Sequence, residues 1–207
     1  MYVGSVVRIL LVRHGQSEWN AQSRWQGRAD IALSELGQAQ ARAAAKSLGP
    51  FDLIAASTLD RASHTAAILA EALGMGPVIP MPSLVERDAG EWSGLTRVDI
   101  ERDWPGYLAA NRRPPGYEDD HTFRTRVING LTDVAAMLPD GEGEALVVAH
   151  GGVVYMLEDL TNQRAGRIKN LGAVWLDVSA DGTVDVRDRV DLIADETLAS
   201  AQSSDLL

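Results

Sequence analysis

Two histidines stand at the same kind of place in this chain. Arg13-His14-Gly15 closes the apolar run Val6-Val7-Arg8-Ile9-Leu10-Leu11-Val12, and His150-Gly151-Gly152 closes Leu146-Val147-Val148-Ala149. A short continuous apolar run ending at glycine reads as a strand buried on both faces, and open α/β sheets place ligand chemistry at the carboxyl ends of such strands. A neutral imidazole can act as a nucleophile or proton carrier near pH 7, and an adjacent guanidinium fits phosphoryl oxygens. The chain has no cysteine, which excludes thiolate nucleophiles, disulfides and thiolate metal sites. Histidine-based phosphoryl chemistry is the reading that uses these residues.

The elements that must position them follow from periodicity and punctuation. Residues 6–13 and 53–57 read as strands, 78–80 as a short one, and a further strand runs to Ala149. Helices are expected from Ser34 to Leu48, over 59–73 with a stop at Gly74, over 96–103, over 119–138 and over 153–160. Segments 173–179 and 184–190 flank Ala180-Asp181-Gly182, a hairpin turn. The order β, α, β, α, insert, α, β, α and hairpin implies an α/β fold, a three-layer α/β/α sandwich with a mostly parallel central sheet. One domain is expected over 1–207, with a variable insert at 82–122 and a loosely held tail at 194–207.

Charge narrows the partners. Twenty-nine acidic against 19 basic residues leave a net charge of -10, which argues against nucleic acid or an anionic membrane as partner. A phosphorylated ligand would be repelled by that overall field, so local arginines must bind it. The run at 6–12 is too short for a secretory core, no stretch approaches membrane-spanning length, and a cytoplasmic enzyme is the default expectation.

Leu11-Val12-Arg13-His14-Gly15-Gln16-Ser17-Glu18-Trp19-Asn20 resembles the signature of the histidine phosphatase superfamily, the phosphoglycerate-mutase-like proteins. The resemblance continues in order through Trp25-Gln26-Gly27-Arg28-Ala29-Asp30, Ala56-Ser57-Thr58-Leu59-Asp60-Arg61, Leu84-Val85-Glu86-Arg87-Asp88 up to Thr96, and Val148-Ala149-His150-Gly151-Gly152. It implies His14 as the phosphoryl-accepting nucleophile, Arg13 and Arg61 as the phosphate clamp, and Asn20 as a neutral donor. It further implies Glu86 as proton donor, preferred over Glu91, and His150 as a donor to phosphoryl oxygens, protonated once phosphate is bound. Gln26, Gly27 and Gly151 fall in the matching blocks and are expected to line the substrate site. No metal and no cofactor are expected.

Other residues carry plainer expectations. His64 and His121 read as surface or helix residues, and Ser57 as the cap of the helix that follows it. Trp19, Trp25 and Trp92 could stack on substrate or fill the rim. Arg112 and Arg113 in the insert could contact a carboxylate or second phosphate.

The interval of 64 positions from Glu86 to His150 is short compared with the long insert of the mutases, and glycine rather than asparagine follows Gly151. Both features favour a phosphatase acting on a small phosphorylated metabolite. The Ser-Ala-Gln-Ser-Ser-Asp-Leu-Leu tail resembles that of glucosyl-3-phosphoglycerate phosphatases. A broad-specificity phosphatase, an α-ribazole phosphatase, a cofactor-dependent phosphoglycerate mutase and a non-catalytic phosphate- or phosphoprotein-binding module stay open, as does a homodimer. The Gly-x-Gly-x-x-Gly spacing of a dinucleotide site is absent.

Overall fold

The computed structural model describes residues 6–193 and Leu198. Six strands, β1 (Val6–Arg13), β2 (Leu53–Ser57), β3 (Ile79–Met81), β4 (Gly143–Ala149), β5 (Gly172–Ser179) and β6 (Val184–Asp191), form one sheet in the order β3-β2-β4-β1-β5-β6. The first four are mutually parallel, while β5 runs antiparallel to both β1 and β6, so the sheet is mixed. The family-like α/β architecture expected from element order is the one observed.

The unbroken apolar character of β1 has a direct cause. Side chains alternate across a strand, and here each face meets helices. Val7, Ile9 and Leu11 pack with Phe123, Val127, Leu131 and Val134 of α5 (Asp120–Ala136) and with Val153, Val154 and Leu157 of α6 (Gly151–Leu160). Leu10 and Val12 point the other way, into Ala44 of α2 (Glu35–Ala44) and Ala62, Ala66 and Leu69 of α3 (Asp60–Leu73).

The chain leaves β1 toward α2 on one face and leaves β4 toward α6 on the other. The carboxyl ends of these neighbouring strands therefore flank the crevice where an open sheet reverses its winding, the place such folds bind ligands. That crevice positions the site.

Several boundaries moved. The polar stretch after His14 contains a short helix α1 (Glu18–Ala21), capped by Ser17 and closed reciprocally by Asn20. Helix α6 begins at Gly151 instead of residue 153, with His150 at its N-cap position. The 82–122 segment holds helix α4 (Arg97–Asp103), capped by Thr96, and packs Ala89, Trp92 and Ile100 with Trp25 in a small core. Apart from Leu198, whose carbonyl accepts from Gln40 Nε2 at 3.0 Å, the tail expected at 194–207 lies outside the described residues. Among the described residues no helix is long and apolar enough to cross a membrane.

Candidate active site

Register does most of the assembly. Arg13 pairs with Ala149 across the parallel β1–β4 ladder, and the His14 amide donates to the Ala149 carbonyl at 3.0 Å. His14 and His150 thus leave the sheet at one level, with ring centroids 5.2 Å apart and edge to face. Arg61 arrives from the first turn of α3.

His14 Nδ1 lies 2.6 Å from the Gly15 carbonyl. A carbonyl only accepts, so Nδ1 carries the hydrogen and Nε2 keeps the lone pair. Burial, then the charges of Arg61 and Arg13, hold this imidazole well below its usual titration range, against a smaller opposing effect of the Gly15 hydrogen bond. Asn170 Nδ2 donates to the His14 carbonyl at 2.9 Å and so fixes its main chain.

The two arginines are nearly sealed, at 2% and 1% exposure for Arg13 and Arg61. Burial lowers both guanidinium pKa values to about 10, still charged at neutral pH. Arg61 donates to the carbonyls of Gly27 at 2.8 Å and Ala29 at 2.8 Å, and Arg13 donates to Ile168 at 2.7 Å. Carbonyls therefore orient both forks without neutralising them.

His150 is fully buried. Its Nε2 lies 2.7 Å from Ser57 Oγ, while Nδ1 has no partner among the described residues. Burial first, then Arg61, push its pKa well down, so the protein's own groups keep this ring neutral. The protonated His150 expected with bound phosphate would need the phosphate's charge to reverse that balance.

Ser57 was expected to cap α3. The N-cap position instead falls to Leu59, which makes no side-chain cap, and Ser57 accepts from the Leu59 amide at 3.3 Å while holding His150.

Glu86 reaches the cavity from an irregular segment. Its Oε1 accepts from the Arg87 amide at 2.7 Å and its Oε2 from the Gly152 amide at 3.0 Å. The second donor belongs to the first turn of α6, whose amides have no carbonyl partner within the helix. A Cβ at Gly152 would stand 2.2 Å from Glu86 Oε1, so the carboxylate sits where only glycine leaves room.

Arg13, His14, Asn20, Gln26, Gly27, Arg61, Glu86, Gly151 and Tyr155 line one cavity of about 60 Å³, room for a few waters. Beyond Arg87, Tyr117 and Tyr155 it opens toward a groove of about 680 Å³, walled by Arg113, Asp119, Asp120 and Arg164 among others. Arg113 therefore sits in the groove, 5.2 Å from the Tyr117 ring, and not in the cavity. Arg112 lines neither: its guanidinium lies 4.0 Å over Tyr107 and donates to that hydroxyl.

Trp25 borders the cavity, whereas Trp92 is wholly buried against it and fills the rim's core. The Trp19 ring rests against Gly94. Among the described residues, no group of three or more His, Asp or Glu side chains is placed to hold a metal ion.

A histidine pair and two buried guanidiniums at the switch point of an open α/β sheet define a phosphoryl-handling enzyme. The sequence profile of the histidine phosphatase superfamily (branch 1) matches residues 9–188, and the chain belongs to this family. It is similar to a glucosyl-3-phosphoglycerate phosphatase of Mycobacterium tuberculosis (strain ATCC 25618 / H37Rv), at 38% identity over 72% of this chain and 73% of the relative. It is also similar to a 2,3-bisphosphoglycerate-dependent phosphoglycerate mutase of Methylobacterium sp. (strain 4-46), at 35% over 88% and 97%. Among solved structures it resembles a mycobacterial glucosyl-3-phosphoglycerate phosphatase, with 29% identity, a TM-score of 0.74, and coverage of 87% of this chain and 97% of the other.

The mutase match spans 202 residues and nearly all of that relative. A protein bearing the mutase name therefore exists at this chain's size, and the short interval before His150 does not by itself separate the two activities.

Proposed function

We propose that this protein is a phosphomonoester hydrolase that carries the phosphoryl group on His14 Nε2 before passing it to water. The observation that carries this reading is the His14 ring: Nδ1 is committed to the Gly15 carbonyl, and burial with two flanking guanidiniums keeps the ring neutral and nucleophilic. In the first half-reaction the Nε2 lone pair forms the N–P bond as the P–O bond to the alcohol breaks, and Glu86 supplies the proton that the alkoxide needs. In the second, water attacks phosphorus, Glu86 takes its proton, and the N–P bond breaks. Splitting the barrier in this way suits an ester whose uncatalysed hydrolysis is extremely slow.

Arg13 and Arg61 bind the phosphoryl oxygens, which stay anionic throughout, and Asn20, Gln26, Gly27 and Gly151 complete the lining. The unpartnered Nδ1 of His150 donates to one more oxygen when it carries the ring hydrogen, with Nε2 then accepting from Ser57 Oγ. The alcohol portion of the substrate extends into the groove beside Arg113. Its mixture of arginines and aspartates suits a polar, hydroxylated alcohol such as that of glucosyl-3-phosphoglycerate.

A second reading, transfer to another hydroxyl, is favoured by the mutase-named relatives. The test is phosphate release from a panel including glucosyl-3-phosphoglycerate, run with excess chelator, beside interconversion of phosphoglycerates primed with 2,3-bisphosphoglycerate. Hydrolysis that outpaces interconversion, undiminished by chelator, is expected. Faster interconversion would replace water with a second substrate hydroxyl, and tight phosphate binding without turnover would make the protein a binding module.

A further inference from the structure

The segment that carries Glu86 has little regular structure to hold it. Residues 82–84 form a single 3-10 turn, and the chain from 85 to 89 belongs to no strand or helix. Besides the Glu118 amide on the Asp88 carbonyl at 3.1 Å and an isolated Ala89–Tyr117 bridge, one side chain holds it, Arg126 of α5. All five of its N–H donors are used: Nε on Glu118 Oε1 at 2.8 Å, Nη1 on the carbonyls of Ser83 at 2.8 Å and Val85 at 2.6 Å, and Nη2 on the Glu86 carbonyl at 2.9 Å and Glu118 Oε2 at 2.8 Å.

Glu118 is as fully committed. Besides Arg126 it accepts from the Asp88 amide at 3.2 Å and from Arg28 Nη2 at 2.7 Å. Arg28 lies between Gly27 and Ala29, the two residues whose carbonyls orient Arg61. Burial would raise the Glu118 carboxyl, but the Arg126 hydrogen bonds and charge, with the Asp88 amide and Arg28, outweigh it and keep it below its usual range.

We infer that Arg126 and Glu118 are positioning residues for the proton-transfer step: together they fix the main chain of Glu86 and tie it to the loop that orients Arg61. Glu86 is then held at both ends, its carbonyl by α5 and its carboxylate by the start of α6. Neither Arg126 nor Glu118 lines the small cavity that Glu86 enters, and Glu118 borders only the outer groove. Planarity matters, because a guanidinium spans three carbonyls and a carboxylate at once and an ammonium cannot.

The inference rests on Glu86 being the proton donor, and leaving groups separate the two claims. Protonation of the leaving oxygen matters greatly for an alkyl phosphate and little for p-nitrophenyl phosphate. Arg126→Lys is expected to lower kcat on glycerol 2-phosphate by about 10- to 100-fold. Its loss on p-nitrophenyl phosphate should be about threefold or less, with inhibition by inorganic phosphate little changed, since the phosphate clamp remains. Glu118→Gln, which keeps the volume and one carbonyl acceptor, is expected to show the same selectivity in weaker form and serves if the lysine variant does not fold.

Glu86→Gln is run alongside. If it discriminates between the two esters while the Arg126 and Glu118 variants lose equally on both, or lose nothing, the positioning role is overturned and the proton donor stands. If Glu86→Gln itself does not discriminate, the donor assignment fails and the inference falls with it.

Discussion

The two halves of this site are built by different physics. The cradle of Arg13, His14 and His150 hangs from the ends of β1 and β4, so its geometry is set by a parallel ladder and two helix-covered faces. The rim that brings Glu86 and Arg113 has no ladder, and its shape depends on arginines bonded to carbonyls and carboxylates 30 or more positions away. Under the proposed reaction the cradle would handle what every phosphomonoester shares, and the rim the alcohol that differs. A ladder makes the common chemistry rigid, while side-chain clamps leave the variable part free to change without unfolding the sheet.

Substitutions should respect that division. Arg61→Ala removes the half of the clamp that α3 brings to the cradle and is expected to cost about 10²- to 10³-fold in kcat/KM on every ester, as losing one preorganised donor typically does. An equal loss confined to poor leaving groups would place Arg61 with the rim. Gly152→Ala drives a Cβ into the Glu86 carboxylate and is expected to cost about 10- to 100-fold on alkyl phosphates, with p-nitrophenyl phosphate largely spared. Arg113→Ala should raise KM severalfold for anionic alcohols only, whereas Arg112→Ala, whose guanidinium is spent on Tyr107, should leave both kinetic constants unchanged. Comparable effects at the two positions would move the groove.

Stability should separate the regions by pH. His14 and His150 titrate lower in the fold than in the unfolded chain, whose histidines take up protons near 6.5. The unfolded state therefore binds more protons below that pH, and folding stability is full above it and falls as pH drops, by up to about 1.4 kcal/mol per pH unit for each histidine. Glu118 is also depressed, so its contribution is present above 4.5 and lost only below that value. Denaturant unfolding at pH 7.5, 6.5, 5.5 and 4 should show two windows, the upper one roughly halved by His150→Asn. A flat profile between 7.5 and 5.5 would mean the histidines are not held neutral.

The same division explains what the sequence disclosed. Strand ends beside glycines placed His14 and His150, and local patterns placed the β5–β6 hairpin and the short helix α4. Contacts between distant positions left no local trace. Asn170 reaches the His14 main chain across 156 positions, and nothing near either residue announces it. Ser57 carries a cap-like pattern, yet its hydroxyl is drawn to a histidine 93 positions away. Arg112 and Arg113 are indistinguishable as neighbours, yet one lies on Tyr107 and the other lines the groove. Trp92 reads equally as rim or stacking partner until its complete burial decides for the core.

The central claim is a covalent N–P bond at His14, and rapid acid-free quenching after mixing with a phosphate-labelled substrate tests it directly. We expect a protein-bound label that is stable in alkali, lost in acid, mapped to the peptide containing His14 and absent from His14→Ala, which should also lose on the order of 10⁴-fold or more in turnover. Full turnover with no labelled intermediate at any quench time, or label undiminished in His14→Ala, would contradict it.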